Sequence, residues 1–259
     1  MKYAWAAPIA ASGFVFLAGS SAMTTGPESP PLDGTAWVLS SLPGRTLVAG
    51  QPATARFEFG RVQGSDGCNR YTAPYTTKGP AIEIGPRAAS TRMACLPETM
   101  KQAEAFMAAL SGAKSYRISN GQLQLLAADG TILTSFAAQV QSLVGTSWRA
   151  VGINTGKGAV ASLVADSTVT MAFAADGKVS GSAGCNQYTS TYQSDGSKLR
   201  FSPAAATRRM CAAVGVMEQE QAFFKALESV ATMRMEGNRL EMRTSEGALA
   251  ISLVRNIGP

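Results

Sequence analysis

Gly64-Ser65-Asp66-Gly67-Cys68-Asn69-Arg70-Tyr71 returns later in the chain as Gly181-Ser182-Ala183-Gly184-Cys185-Asn186-Gln187-Tyr188. Working outward from this pair, each copy has the same neighbours in the same order. Upstream, Gly34-Thr35-Ala36-Trp37 matches Gly145-Thr146-Ser147-Trp148. Downstream, Ala88-Ala89-Ser90-Thr91-Arg92-Met93-Ala94-Cys95 matches Ala204-Ala205-Ala206-Thr207-Arg208-Arg209-Met210-Cys211, and Met100–Leu110 matches Met217–Leu227. The offset stays between 111 and 117 residues. Four ordered matches at a nearly fixed offset are the mark of an internal repeat. The chain is two tandem domains, residues 32–138 and 143–255, with a joint near Ala138–Leu143.

Within a copy the hydrophobic period is two. Ala53, Ala55, Phe57 and Phe59 alternate with Thr54, Arg56 and Glu58, and Val169, Met171 and Phe173 repeat the pattern, as in a half-buried strand. Further short strands are expected at Trp37–Leu42, Tyr71–Thr76, Ile82–Ile84, Tyr116–Ile118, Leu123–Leu126 and Ile132–Phe136. Their counterparts are Tyr188–Tyr192, Leu199–Phe201, Met233–Met235, Leu240–Met242 and Leu249–Val254. The GxxGCNxY stretch itself reads as a turn, because Gly and Asn tolerate left-handed backbone and Asn can bond neighbouring main chain. One segment per copy switches to the helical period. In Thr99–Leu110, residues Met100, Ala103, Phe106, Met107 and Leu110 share a face, with Pro97 before it and Ser111-Gly112 after it. Glu218–Leu227 is its equivalent. The fold class is therefore mostly β (α+β): two small barrels or strongly curved antiparallel sheets, each with one short α-helix closing one side.

The N-terminus reads as a secretion signal over residues 1–22. Lys2 precedes a short apolar run ending in Phe14-Val15-Phe16-Leu17, and Ser20-Ser21-Ala22 supplies small residues for cleavage. The run is short for a membrane span; an uncleaved anchor is the alternative. Leu17-Ala18-Gly19-Ser20 has Ser where a lipid-bearing Cys would stand. Residues 23–31 read as a flexible leader. A periplasmic or secreted protein, not membrane-spanning after cleavage, is expected. The formal charge of +6 is scattered, with no basic run interleaved with aromatics, so no nucleic-acid partner is implied.

The chain has no histidine, which excludes Ser-His-Asp and Cys-His catalysis and removes the commonest zinc ligand. The copies share no Ser-x-x-Lys and no pair of acids: Asp66 becomes Ala183 and Glu83 becomes Arg200. No catalytic residue, cofactor or metal is expected. In an oxidising compartment, two cysteines per copy in matching places point to disulfides Cys68–Cys95 and Cys185–Cys211. The rival, a Cys₄ metal site, needs more closely spaced pairs. Each disulfide would contribute about 3–4 kcal/mol in the chain-entropy model. Asn69 and Asn186 are candidate turn builders. Arg92 and Arg208 either meet an anionic ligand or brace a buried carboxylate or carbonyls beside the disulfide. Trp37 and Trp148 are expected in the core. Gly156-Lys157-Gly158 lacks the context of a phosphate loop and reads as a hairpin loop. Met93, Met210, Met233 and Met235 either line an adaptable apolar pocket or fill core gaps.

The ordered set GTxW, GxxGCNxY, TRMxC and a short helix resembles the META domain family (heat-shock protein HslJ-like), in both copies. The second copy departs from it in reading Thr207-Arg208-Arg209-Met210-Cys211, and Glu104 lies one step later than Glu220. The resemblance implies a cracked β-barrel and an exported envelope or stress-associated module. The expected function is non-enzymatic: binding of a hydrophobic ligand or an extended polypeptide, with an unknown envelope protein as partner. A structural assembly component is the first alternative, and a hydrolase or protease inhibitor the second.

Overall fold

The computed structural model describes Met1 and residues 30–50, 52–85 and 88–256. The signal segment and the leader as far as residue 29, Met1 apart, lie outside the described residues. The first domain runs β1 (Thr35–Ser41), β2 (Thr54–Glu58), β3 (Arg61–Ser65), β4 (Arg70–Lys78), β5 (Ala81–Ile84), β6 (Ala89–Ser90), α1 (Pro97–Gly112), β7 (Ser115–Ser119), β8 (Gln122–Leu126) and β9 (Ile132–Ala138). The second runs β10 (Ser147–Asn154), β11 (Val160–Ala161), β12 (Thr170–Phe173), β13 (Lys178–Ser182), β14 (Gln187–Asp195), β15 (Lys198–Phe201), β16 (Ala205–Ala206), α2 (Val216–Glu228), β17 (Thr232–Glu236), β18 (Arg239–Arg243) and β19 (Leu249–Arg255).

Each domain is a closed, up-and-down antiparallel barrel of eight strands. In the first, β1, β2, β3, β4, β5, β7, β8 and β9 pair in turn, and β9 pairs back with β1. In the second, β10, β12, β13, β14, β15, β17, β18 and β19 do the same, closed by β19 on β10. Each barrel has one weak seam. Only Ala81↔Ser115 joins β5 to β7 in register, and only Lys198↔Thr232 joins β15 to β17. The helix of each domain lies in the connection across that seam, closing one side as the sequence pattern suggests, and the seam is the crack that the resemblance implies.

The alternation that identified the strands also sorts their faces. In β4, Tyr71, Ala73 and Tyr75 point inward while Arg70 and Pro74 face out; in β14, Tyr188, Ser190 and Tyr192 point inward. Two separate apolar clusters result, one per domain. Phe57, Phe106, Leu123 and Phe136 fill one barrel and Trp148, Met171, Leu199 and Phe223 the other, all with essentially no exposure. An eight-stranded barrel is just wide enough for side chains to fill. Met233 and Met235 belong to that filling, whereas Met93 and Met210 lie outside the barrel interiors and are 57% and 89% exposed.

Two local expectations need correction. The stretch read as a turn begins inside a strand: Gly64-Ser65 end β3 and Gly181-Ser182 end β13. The helices also run longer than the apolar stripe marks, because Pro97 and Val216 open them before the first turn reaches the core. Gly156–Gly158 does form a hairpin loop, between β10 and the short β11.

Candidate functional site

The repeated cysteine turn is built around two glycines with separate tasks. A β-carbon on Gly64 would lie 2.2 Å from the Thr54 carbonyl oxygen, and on Gly181 2.1 Å from that of Thr170. Only a bare backbone lets β3 and β13 lie this close to the preceding strand. Gly67 and Gly184 then take φ of 98° and 107°, a region that L side chains rarely occupy. The hydroxyls of Thr54 and Thr170 accept the Ser65 and Ser182 amides at 2.9 and 3.0 Å. Their carbonyls accept the phenol hydroxyls of Tyr71 and Tyr188 at 2.8 and 3.0 Å. Burial raises the pKa of both tyrosines, so the phenols remain hydrogen-bond donors at neutral pH.

Asn69 and Asn186 tie this turn to the segment carrying the second cysteine. Asn69 Oδ1 accepts from Thr91 Oγ1 at 3.0 Å and the Met93 amide at 2.7 Å. Asn186 Oδ1 accepts from Thr207 Oγ1 and the Arg209 amide, both at 2.7 Å. The disulfides Cys68–Cys95 and Cys185–Cys211, with Cα separations of 6.0 and 5.9 Å, close the same junction covalently. Both pairings lie within a domain, as expected from the spacing. They suit an oxidising, extracytoplasmic setting. Among the described residues, no helix is long and apolar enough to cross a membrane.

These bonds also set the register between copies. Arg209, and not Met210, is the counterpart of Met93, so the second copy substitutes a residue and shifts nothing. The expected bracing role of Arg208 is therefore misplaced. Arg92 and Arg208 are exposed and make no hydrogen bond or ion pair to described residues. It is Arg209 that donates to a carbonyl beside the disulfide, that of Cys185 at 3.3 Å.

The copies also solve the turn's buried amides differently. In the first, Asp66 Oδ1 accepts the amides of Cys68 and Asn69 at 2.8 and 2.5 Å. In the second, position 183 is Ala, and Glu220 reaches in from α2 to accept the Asn186 amide at 2.8 Å and its Nδ2 at 2.9 Å. The first-domain residue at the place of Glu220 is Ala103. One carboxylate has moved from turn to helix, and the Asn backbone amide is accepted in both copies. Trp37 and Trp148 are core anchors, 4% and 0% exposed. Their indoles donate to Thr35 and Thr146 Oγ1 at 2.6 and 2.7 Å.

Surface relief gives two features that sequence reasoning missed. A cleft of about 460 Å³ lies beside α2, lined by Ile153, Lys157, Val164, Gln219, Ala222 and Lys225 among others. At the domain junction the β17–β18 hairpin sits on the cysteine-turn face of the first domain, around a cavity of about 210 Å³. There Thr54 Oγ1 donates to Glu236 at 3.0 Å, and Arg70 reaches Glu236 and Glu241 at 3.7 and 3.1 Å. The Gly237 amide donates to Gln139 Oε1 at 2.6 Å, and Asn238 Nδ2 to the Gly50 carbonyl at 2.5 Å. No local pattern announces such a contact, because its partners are about 100 to 190 residues apart.

A family model, META domain, matches residues 30–140 and 141–255. Comparison with curated proteins gives no match. Among solved structures, an NMR structure of a protein from Burkholderia xenovorans is 24% identical, covers 45% of this chain and 85% of its own, and has a TM-score of 0.38. A second NMR structure is 19% identical over 44% of this chain and 95% of its own, with a TM-score of 0.35. A crystal structure of a DUF4847 family protein from Bacteroides vulgatus is 20% identical over 35% of this chain and 61% of its own, with a TM-score of 0.27.

Proposed function

The chain belongs to the META domain family in both of its halves, and from that premise we propose that it is an exported, non-enzymatic envelope module that binds extended polypeptide on the outside of its barrels. The observation that carries the reading is the first domain's cysteine-turn face, which already holds a polypeptide hairpin through a hydroxyl, a guanidinium and an amide. The filled barrels favour an external ligand over an apolar one inside. A non-catalytic role is supported by the lack of histidine and by the use of the buried Asp66 and Glu220 as acceptors for turn amides. Export through a Sec-type signal to the periplasm, and association with envelope stress, belong to the same proposal.

Native mass spectrometry of protein isolated from its own envelope fraction tests it. Retained masses that fragment as peptide are the expected result. Retained lipid, or saturable binding of an environment-sensitive hydrophobic dye with the fold intact, would replace the polypeptide reading with an apolar-ligand carrier.

A further inference from the structure

The cysteine-turn face occurs twice, and the described residues cover it once. On the covered face of the first domain, Thr54, Arg70 and Gln139 hold the β17–β18 hairpin. The open face of the second domain keeps each kind of group. Thr170 stands where Thr54 does, with the same internal bonds from the Ser182 amide and the Tyr188 hydroxyl. Asn256 stands where Gln139 does: their backbone amides donate alike, to the Ser147 and Ala36 carbonyls, each at 2.8 Å. Neither the Thr170 hydroxyl proton nor the Asn256 side-chain amide meets a partner among the described residues, and Asn256 is exposed.

The charge is kept by a compensating exchange. Arg70 is replaced by Gln187, which removes the guanidinium that pairs with Glu236 and Glu241. Met93, which lines the covered junction, is replaced by the exposed Arg209, which returns a guanidinium from the opposite wall of the turn. Arg209 makes one 3.3 Å bond to the Cys185 carbonyl, leaving other donors of its fork for a ligand.

We propose that the cysteine-turn face of the second domain is a docking site for an acidic β-turn of another polypeptide, read by Thr170, Arg209 and Asn256. The proposal rests on the polypeptide-binding reading above. The covered face shows the occupant's chemistry, an acid at the end of a strand and a turn amide. A second copy of this chain cannot offer the equivalent turns. The β7–β8 turn, Ser119–Gln122, has no acid, and the β17–β18 turn is already engaged.

The probe is a synthetic hairpin with the sequence of residues 232–243, cyclised through added terminal cysteines and titrated into the full chain by amide NMR. Saturable shifts at Thr170, Arg209 and Asn256 are expected. Gln187→Arg, which restores the first domain's guanidinium, should tighten binding about tenfold, and Gln187→Glu should weaken it about tenfold. Gln187 is exposed, so both variants keep the fold. Replacing both glutamates of the probe by Gln should weaken it similarly. Binding that ignores all these charge changes would overturn the proposal, as would no saturation at millimolar probe. Shifts confined to the α2 cleft would overturn this site while leaving the polypeptide reading standing. Shifts confined to Thr54 and Arg70 would mean that the probe merely displaces the resident hairpin, which also overturns it.

Discussion

Glu220→Ala removes the one carboxylate that accepts the buried Asn186 amide. Glu220 is 7% exposed and Asn186 1%, so little water can substitute. Two charge-assisted hydrogen bonds are lost, at 2.8 and 2.9 Å. Such bonds contribute roughly 1.5–3 kcal/mol each, and the orphaned amide keeps its desolvation cost. With partial relaxation, the expected loss is about 3 kcal/mol, read as a lower urea midpoint at unchanged slope. The first domain supplies the remedy. Adding Ala183→Asp places a carboxylate where Asp66 accepts the equivalent amides. Alone, Ala183→Asp crowds a second negative charge against Glu220 and should destabilise. Combined with Glu220→Ala it should recover at least about half of the loss, giving a favourable coupling above about 1.5 kcal/mol in the double-mutant cycle. The mirror exchange, Asp66→Ala with Ala103→Glu, should behave alike. A double variant no more stable than Glu220→Ala would refute the claim that the copies differ by moving one carboxylate.

Gly64→Ala and Gly181→Ala should each cost at least about 2 kcal/mol by urea denaturation, since the new methyl meets a backbone carbonyl at 2.2 or 2.1 Å and cannot rotate away; a neutral result would refute the close approach. Cleavage near residues 138–143, run denatured without reductant, should release two halves with no titratable thiol, and halves that stay joined would contradict the pairings Cys68–Cys95 and Cys185–Cys211. Reducing each bridge, of sequence separation 27 or 26, should cost its domain about 3.5 kcal/mol in the loop-entropy model. Burial alone would raise the pKa of Glu241, but the hydrogen bond and charge of Arg243, with Arg70 and Arg234, hold it below its ordinary 4.5. A depressed carboxylate contributes stability above its ordinary value and loses it as pH falls further. The protection of the amides at residues 236–238, with exchange referred to the intrinsic rate at each pH, should therefore fall only below about pH 4.5, and protection that falls on raising the pH instead would refute the junction's ion pairs.

Much of this was legible because the repeat makes the chain its own comparison. Alternation at Ala53–Phe59 and Val169–Phe173 marked strands, and paired cysteines marked each domain's bridge. Closure into a barrel was less legible, since pairing of β9 with β1 depends on chain ends about 100 residues apart. Strands β3 and β13 hid inside the motif because Gly64 and Gly181 carry no side chain to display a period. Arg208 drew attention as the match to Arg92, yet hydrogen bonding makes Arg209 the residue at the turn, a one-place ambiguity that only geometry resolves. The exchange of Asp66 for Glu220 looked like a lost acid because its replacement lies 37 residues further on, on another element. The domain junction left no sequence mark at all: Glu236 and Arg70 are ordinary surface charges until the hairpin is seated.

Each chain end of a barrel lies beside the other. β1 pairs with β9 and β10 with β19, and the amides of Gln139 and Asn256 bond back to the first strand of their own domain. A gene segment encoding one barrel can therefore be copied in frame, or excised, without redrawing any strand pairing; the spacer from 140 to 142 is nearly all the splice requires. The same adjacency makes either unit a candidate for circular permutation. In the first domain, residue 139 could be joined to residue 32 by a short bridge and new termini opened at Asn120-Gly121, on a surface turn outside both the seam and the cysteine clamp.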